Sequence, residues 1–368
     1  MVLVTTSGAN ALRMDWLNFD RLSDIDSVIV TQQSNSLVID VDGLRYAFSG
    51  SGVRYNSFGE PVSGTITGLT VTQGGTALFL VSGVNVGAGP FYQATYAPND
   101  PLPLIFGGND DIRGGTQDDY VYDMFGHNIL MGGAGRDTLL AGDGNDHIYG
   151  ASPNGGVDGA DHIDGRDGSD YINGNAGNDT IYGAGGSDRI QGGADDDLLN
   201  GGEGHDNING NRGNDRIEGD FGNDILRGGQ GNDSLSGGTG NDLIMGDLGD
   251  DLLTGGAGMD VFVFGPGTSA IGANGDRISD YEAGIDHIAL GFAPRALLVG
   301  SDGNGSLESA RVAAQALVDQ APGGDEVAMI TAGSTTLLFW ASGGGATIDS
   351  MVTLYNVGAS DFGLTDFI

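Results

Sequence analysis

Aspartate recurs at every ninth residue through the middle of this chain, and that spacing is where its chemistry starts. In one frame the acids are Asp110, Asp119, Asp137, Asp146, Asp161, Asp170, Asp179, Asp188, Asp197, Asp206, Asp215, Asp224, Asp233, Asp242, Asp251 and Asp260, with Asn128 the one neutral member of seventeen. Each closes a stretch of the form G-G-x-G-x-D, whose glycines leave backbone carbonyl oxygens unobstructed. Calcium takes six to eight oxygens, carboxylate and carbonyl, at about 2.3–2.6 Å. Turns two repeats apart would lie on the same edge, so Asp206 with Asp224, or Asp215 with Asp233, would hold an ion between them. A row of Ca2+ ions would then run along each edge. Metal-free Asx turns are the alternative use of such aspartates, but the charge argues against it. Ionised carboxylates stacked about 4.8 Å apart repel by about 0.9 kcal/mol per pair even in water. The chain has 50 acids against 14 bases, every one of them Arg, and a formal net charge of −36. A compact fold therefore asks for bound cations.

The elements that must position these acids follow from what comes next in each repeat. Two residues after every acid stands one large apolar side chain, among them Ile112, Val121, Leu130, Ile148, Ile208, Leu226, Leu253 and Phe262. One buried side chain per nine residues suits a solenoid in which no single coil holds a core but stacked neighbours do. The pattern predicts a six-residue turn, a three-residue strand, two units to a coil, and about eight coils. At roughly 4.8 Å per coil the roll would be about 40 Å long. Residues 152–157 interrupt the frame and are expected to bulge from one edge without disturbing the stack. Asn128, Gln117 and Asp195 depart from the consensus, the first two weakening the early coils.

The flanks read differently. Runs such as Ser27-Val-Ile-Val-Thr, Ser36-Leu-Val-Ile-Asp-Val, Gly64-Thr-Ile-Thr-Gly-Leu-Thr-Val-Thr and Ala77-Leu-Phe-Leu-Val predict a β domain over 1–104, closed by Pro98-Asn-Asp-Pro-Leu-Pro. The roll occupies 105–264. A mainly β cap follows over 265–368, with closing strands near Val261 and Asp276, and later strands from Glu326, Thr335 and Ser350. It carries one helix from Leu307 to about Ala321, capped by Ser306 and stopped by Pro322. The fold class is all-β: a right-handed parallel β-roll between an N-terminal β domain and this cap.

The nonapeptides, from GGAGRDTLL at Gly132 to GGAGMDVFV at Gly255, resemble the RTX repeats of exported bacterial toxins, proteases and surface proteins. Asp276 to Leu290 is similar to the region after the repeats in serralysin-type C-terminal domains, and Leu364-Thr-Asp-Phe-Ile resembles an uncleaved type I secretion signal. The resemblance implies export in one unfolded step through the type I machinery, folding on calcium outside the cell, and a secreted or cell-surface location. The absence of cysteine, and of a basic, long-apolar signal at Met1-Val-Leu-Val-Thr-Thr, suits that route.

Several classes are excluded by residue type. The excess of carboxylate disfavours nucleic acid and anionic membrane surfaces as partners, and no run of eighteen apolar residues predicts a membrane helix. The five histidines form no H-E-x-x-H, no G-x-S-x-G occurs, and Ser51 reads as part of a turn. No catalytic residue is expected. The favoured function is a calcium-binding structural protein of the cell exterior that self-associates into a surface layer, matrix or filament. The alternatives are a calcium-dependent adhesin or carbohydrate-binding module using Tyr46, Tyr55, Phe58, Phe91, Tyr92 and Tyr96, and a hydrolase of unfamiliar site.

Overall fold

A computed structural model describes the strand backbone of residues 3–6, 28–33, 36–41, 44–55, 61–73 and 76–87. It also describes the chain from 109 onward except 110, 114–117, 124, 152–157, 266–267, 269–274, 303–305, 322–324 and 342–346. Side chains are described from 109 on, apart from Asp111 and Tyr120. The chain divides into two compact units, Met1–Gly183 and Ala184–Ile368. Asp110, Gln117, the insertion 152–157 and the N-terminal aromatics lie outside the described residues or side chains.

In the first unit, strands Val28–Gln33, Ser36–Val41, Leu44–Tyr55, Pro61–Gln73 and Thr76–Gly87 form an antiparallel meander. Strand Leu3–Thr6 pairs antiparallel with Thr76–Gly87 on one side and parallel with Asp111–Arg113 on the other. It therefore joins the meander to the repeats, a role its four residues do not advertise. The repeats that follow alternate between two parallel ladders. One runs Asp111–Arg113, Ile129–Gly133, His147–Ala151, Tyr171–Ala176, in a register that sets Ile112, Leu130, Ile148 and Ile172 in line. The other aligns Val121, Leu139 and Ile163. All seven side chains are fully buried.

The second unit repeats the arrangement. Strands Arg189–Ala194, Asn207–Arg212, Ile225–Gln230, Leu243–Leu248, Val261–Val263 and His287–Ala289 form one parallel ladder. Leu198–Glu203, Arg216–Phe221, Ser234–Thr239, Leu252–Ala257 and Asp276–Ile278 form the other. Among the nonapeptide strands partners are 18 residues apart, so two nonapeptides make one coil, as the spacing predicts. The division within a repeat is different from the expectation. Most strands are six residues long, such as Asn207–Arg212, because the first three residues of the next repeat stay in the ladder: Gly193 pairs with Asn211 and Ala194 with Arg212. The turn is correspondingly short.

Two glycine positions show why the residue type is needed. At Gly222, with φ +141°, an added Cβ would run into the carbonyl of Gly204 in the coil below. At Gly219 the backbone is ordinary, yet a Cβ would lie 2.5 Å from Asp224 Oδ2 and 2.6 Å from the carbonyl oxygen of Gly237. The second repeat position is more permissive: Arg166, Asn175, Ala184, Asn211, Asp220 and Asp247 all adopt left-handed φ of 67–77° there, and Asp195 does so at the fourth position. Asn and Asp suit that region; Arg166 and Ala184 take it at a cost of about 1 kcal/mol each.

The cap grows from the second ladder. Asp276–Ile278 pairs parallel with Ser350–Tyr355, which pairs with Thr335–Trp340, then Glu326–Ala332, then Ala296–Ser301. The helix spans Leu307–Val318, with Ser306 Oγ accepting the Ser309 N–H at 3.2 Å. It ends three residues before the expected point because the N–H groups of Gln320 and Ala321 reach back three residues, to Leu317 and Val318, in a tighter turn. Its buried Ala310, Ala314 and Val318 pack with Ala328, Ile330, Leu337, Phe339, Ile348 and Met351. The chain's end docks on this unit: the Ile368 N–H bonds the Ile288 carbonyl, and Asp366 and Phe367 are buried.

Candidate metal centre

Every repeat aspartate from Asp119 to Asp260 is buried, none more than 3% exposed. Burial of so many carboxylates demands compensation, and half of it is visible. In most of the row one carboxylate oxygen accepts the backbone N–H of the acid one coil earlier: Asp206 from Asp188 at 2.8 Å, Asp215 from Asp197 at 2.9 Å, Asp224 from Asp206 and Asp233 from Asp215 at 2.8 Å. The ladder continues from Asp224 to Asp242, Asp233 to Asp251 and Asp242 to Asp260. Thus the structure brings together the pairs that the sequence matched across coils. In the first unit the same bond joins Asp119 to Asp137 and Asn128 to Asp146. It then joins Asp137 to Asp161 and Asp146 to Asp170 over 24 residues, and Asp161 to Asp179 over 18. The six inserted residues leave the stack in register.

The other half of the compensation is missing. The Oδ2 atoms of Asp137, Asp146, Asp161, Asp206, Asp215, Asp224, Asp233, Asp242, Asp251 and Asp260 are buried without a hydrogen-bond partner. Backbone carbonyls converge on them: Asp224 Oδ2 and the Gly237 carbonyl face one point beside Gly219. Among the described residues no three acidic or histidine side chains gather into a metal cluster. A cation would be held instead by carboxylates of neighbouring coils with glycine carbonyls, the hard all-oxygen set that suits calcium. The unpartnered oxygens and the converging carbonyls fit that ion.

The electrostatics point the same way. Burial pushes the carboxyls of Asp206, Asp215, Asp242, Asp251 and Asp146 up to about 6, and those of Asp137 and Asp233 to about 7. Asp161 rises to about 8, by burial first and then by the negative charges of Asp158, Asp137 and Asp179. The backbone N–H bonds act in the opposite direction and lose. Each of these groups would therefore gain from a neighbouring positive charge.

Three features escaped the sequence reading. Asp276 and Asp286 continue the ladder beyond the nonapeptides, accepting the N–H of Asp251 and Asp260 at 3.0 Å each. Their spacings, 25 and 26 residues, break the period that reveals the others. Asp280 places one oxygen on the Gly255 N–H and the other on the Gly256 N–H, both at 2.9 Å, and so closes the last repeat turn. The third is a second ladder, made by the residue preceding each aspartate. Asn214 accepts from the Asn232 N–H, Asn223 from Asn241, and Asn232 from Asp250. His127 Nδ1 and His205 Nδ1 accept from Asn145 and Asn223 in the same way. The signal was present in the recurring Gly-Asn-Asp. This ladder points up the stack while the aspartates point down, so each turn grips both neighbours.

Of the five histidines, two serve this ladder; His147 lies 5.8 Å from the Tyr171 ring and His162 5.8 Å from Tyr182. No helix among the described residues is long and apolar enough to cross a membrane.

Residues 106–139, 122–152, 155–190, 174–208, 182–217, 201–235, 209–244 and 236–269 match the family of RTX calcium-binding nonapeptide repeats. Among solved structures, the chain is similar to the AlgE6R3 subunit of the Azotobacter vinelandii mannuronan C5-epimerase. That likeness is 26% identity over 48% of this chain and 78% of the other, with a TM-score of 0.28. The AlgE6R2 subunit of that enzyme is similar at 24% identity, over 49% of this chain and 91% of the other, with a TM-score of 0.26. No curated protein matches the chain.

Proposed function

We propose, from the RTX calcium-binding nonapeptide repeats that this chain carries between residues 106 and 269, that it is a structural protein of the cell exterior that folds on binding calcium outside the cell and then assembles. The metal ligands are Asp119, Asp137, Asp146 and the repeat acids from Asp161 to Asp260, with Asp110 included by its position in the repeat frame of the sequence. One observation carries the reading: the row of buried carboxylate oxygens without hydrogen-bond partners, beside inward-facing glycine carbonyls. In a chain of net charge −36 such a row opposes folding until cations enter. Low calcium inside the cell keeps the chain unfolded and exportable by the type I machinery; millimolar calcium outside closes the roll. The N-terminal domain 1–104 and the cap 265–368 flank the roll, and no catalysis is assigned to them.

The test is far-UV circular dichroism with parallel light scattering on the full chain, titrated with calcium and, as control, magnesium. A coil-to-β transition specific to calcium and followed by rising scatter is expected. A fold complete in chelator would overturn the calcium-driven folding, and a transition without scatter would overturn assembly.

A second reading has its own observation. On the outward side of one ladder of the first unit, Tyr149 and Tyr171 lie 5.7 Å apart on neighbouring coils, with His147 beside Tyr171; on the other ladder Arg166 covers the Tyr122 ring at 5.3 Å. Adjacent rings on a solvent-facing sheet offer sugar faces a surface. Saturable glycan binding lost in Tyr171→Ala, in a chain that still folds with calcium, would favour a carbohydrate-binding module over a scaffold.

A further inference from the structure

The second ladder of the second unit carries an arginine that the acids of this chain leave alone. Arg277 stands in register with Leu252 on one side and Thr353 on the other, where the cap strand Ser350–Tyr355 joins the roll. It is half-buried, and its Nε–H is buried without an acceptor. Among the described residues, no ion pair, side-chain hydrogen bond or ring contact engages the rest of its guanidinium. In a chain with 50 acids and 14 arginines a half-buried guanidinium without a carboxylate runs against the odds. Other outward arginines have theirs. Arg216, three coils earlier in the same row, pairs with Glu218 at 2.6 Å, and Arg227 on the other ladder pairs with Asp247. At Arg277 the local sequence withholds the acid: the place two residues on, which Glu218 fills in the earlier coil, is Ser279, whose hydroxyl lies 2.8 Å from that of Thr254. The two acids nearest in sequence are committed elsewhere. Asp276 is turned into the acid row, accepting the Asp251 N–H, and Asp280 holds the N–H groups of Gly255 and Gly256.

We propose that Arg277 is the centre of an anion-binding site, on the outward face where the last coil meets the cap, that takes the carboxylate of a small organic acid. A buried N–H without an acceptor is costly to the fold, and an incoming oxygen relieves it. The planar guanidinium fork matches a carboxylate through two parallel hydrogen bonds. The neighbouring polar groups are hydroxyls, Ser279 on the same strand and Thr353 on the next, and the Thr353 hydroxyl has no partner among the described residues. Hydroxyls can donate to a bound anion without adding charge. One guanidinium balances one negative charge, and the chain contains no lysine to supply a second, so a monoanionic carboxylate fits better than sulfate or phosphate. The net charge of −36 holds anions off at a distance. The site therefore fills only when the roll carries its cations, and it binds weakly. It needs the folded roll but neither assembly nor a place outside the cell.

The test is a titration of the 15N-labelled, calcium-loaded full chain with sodium acetate, replacing sodium chloride at constant ionic strength and constant free calcium. Circular dichroism is the folding control, and the readout is the Arg277 Nε–H resonance, identified by its loss in Arg277→Gln. A saturable shift of that resonance in the millimolar range is expected, with the signals of the paired Arg216 and Arg227 unmoved. Acetate should also raise the thermal midpoint of the wild-type chain and leave that of Arg277→Gln where it was. Arg277→Lys keeps the charge and the stem but loses the planar fork; it should weaken binding at least about tenfold, and it takes the place of the Gln variant should that fail to fold. A resonance that stays still, or that drifts without saturating as it does in chloride, would overturn the site. So would a rise in midpoint that survives in the folded variants. Sulfate that binds more tightly than acetate would overturn the carboxylate as its ligand.

Discussion

Asp224→Asn separates the two things a repeat aspartate does. Asp224 Oδ1 accepts the Asp206 N–H at 2.8 Å, and its Oδ2 is buried without a partner. Asparagine keeps the carbonyl acceptor and the shape but removes the charge; the fold already accommodates it at Asn128, buried at the equivalent repeat position. If the residue served only as a turn-former, the substitution would be nearly silent at any calcium concentration. If it holds calcium, it adjoins two ions, one shared with Asp206 and one with Asp242. Each bound ion at ten times its dissociation constant contributes about 1.4 kcal/mol, so the loss should approach about 3 kcal/mol at that concentration. As calcium is lowered the loss should shrink and change sign, because burial holds the native carboxyl above its ordinary range and the variant is relieved of that charge. The assay is urea denaturation followed by circular dichroism at several fixed calcium concentrations. A loss of constant size at every concentration, or none at saturating calcium, would refute the reasoning.

Other outcomes are open to direct measurement. In chelator, the raised carboxyls of Asp137, Asp161 and Asp233, near 7, 8 and 7, bind protons in the fold that the unfolded chain, with carboxyls near 3.9, has released. Metal-free stability should therefore be greatest below about pH 4 and fall as pH rises through 6–8, a trend that a pH series of urea midpoints checks; stability rising over that window would contradict it. For the same reason, calcium binding near pH 6.5 should release protons, measurable in a weakly buffered titration. Gly219→Ala should destabilise the calcium-loaded roll by about 1–3 kcal/mol, since its Cβ would press on Asp224 and Gly237; Gly284→Ala, with nothing within 4 Å, carries only the backbone penalty of its left-handed φ, about 1–2 kcal/mol. Asp280→Ala strips two backbone N–H groups of their acceptor and should cost about 1–3 kcal/mol, raising the calcium midpoint. An unchanged midpoint would make Asp280 a bystander.

The repeat is the part of this protein that its sequence determines. A nine-residue period with one acid and one apolar residue defines coil size, the inward face and the row of acids, because each coil contacts only its neighbours and the local pattern is the global one. Ile208 over Ile190 and Asp224 over Asp206 follow from counting. The cap helix was equally legible, through Ser306 and the spacing of Ala310, Ala314 and Val318. What the period could not reveal lies where the chain leaves it. Asp276, Asp280 and Asp286 join the acid row and its closing turn only because Asp276–Ile278 and His287–Ala289 add to the two ladders, at spacings no frame anticipates. Leu3–Thr6 bridges the meander and the first repeat across more than a hundred residues, a long-range pairing that four residues cannot encode locally. The reach of the turn and the direction of the two side-chain ladders are also tertiary facts. They depend on which backbone N–H groups the neighbouring coil presents, and the chain acquires that neighbour only by stacking.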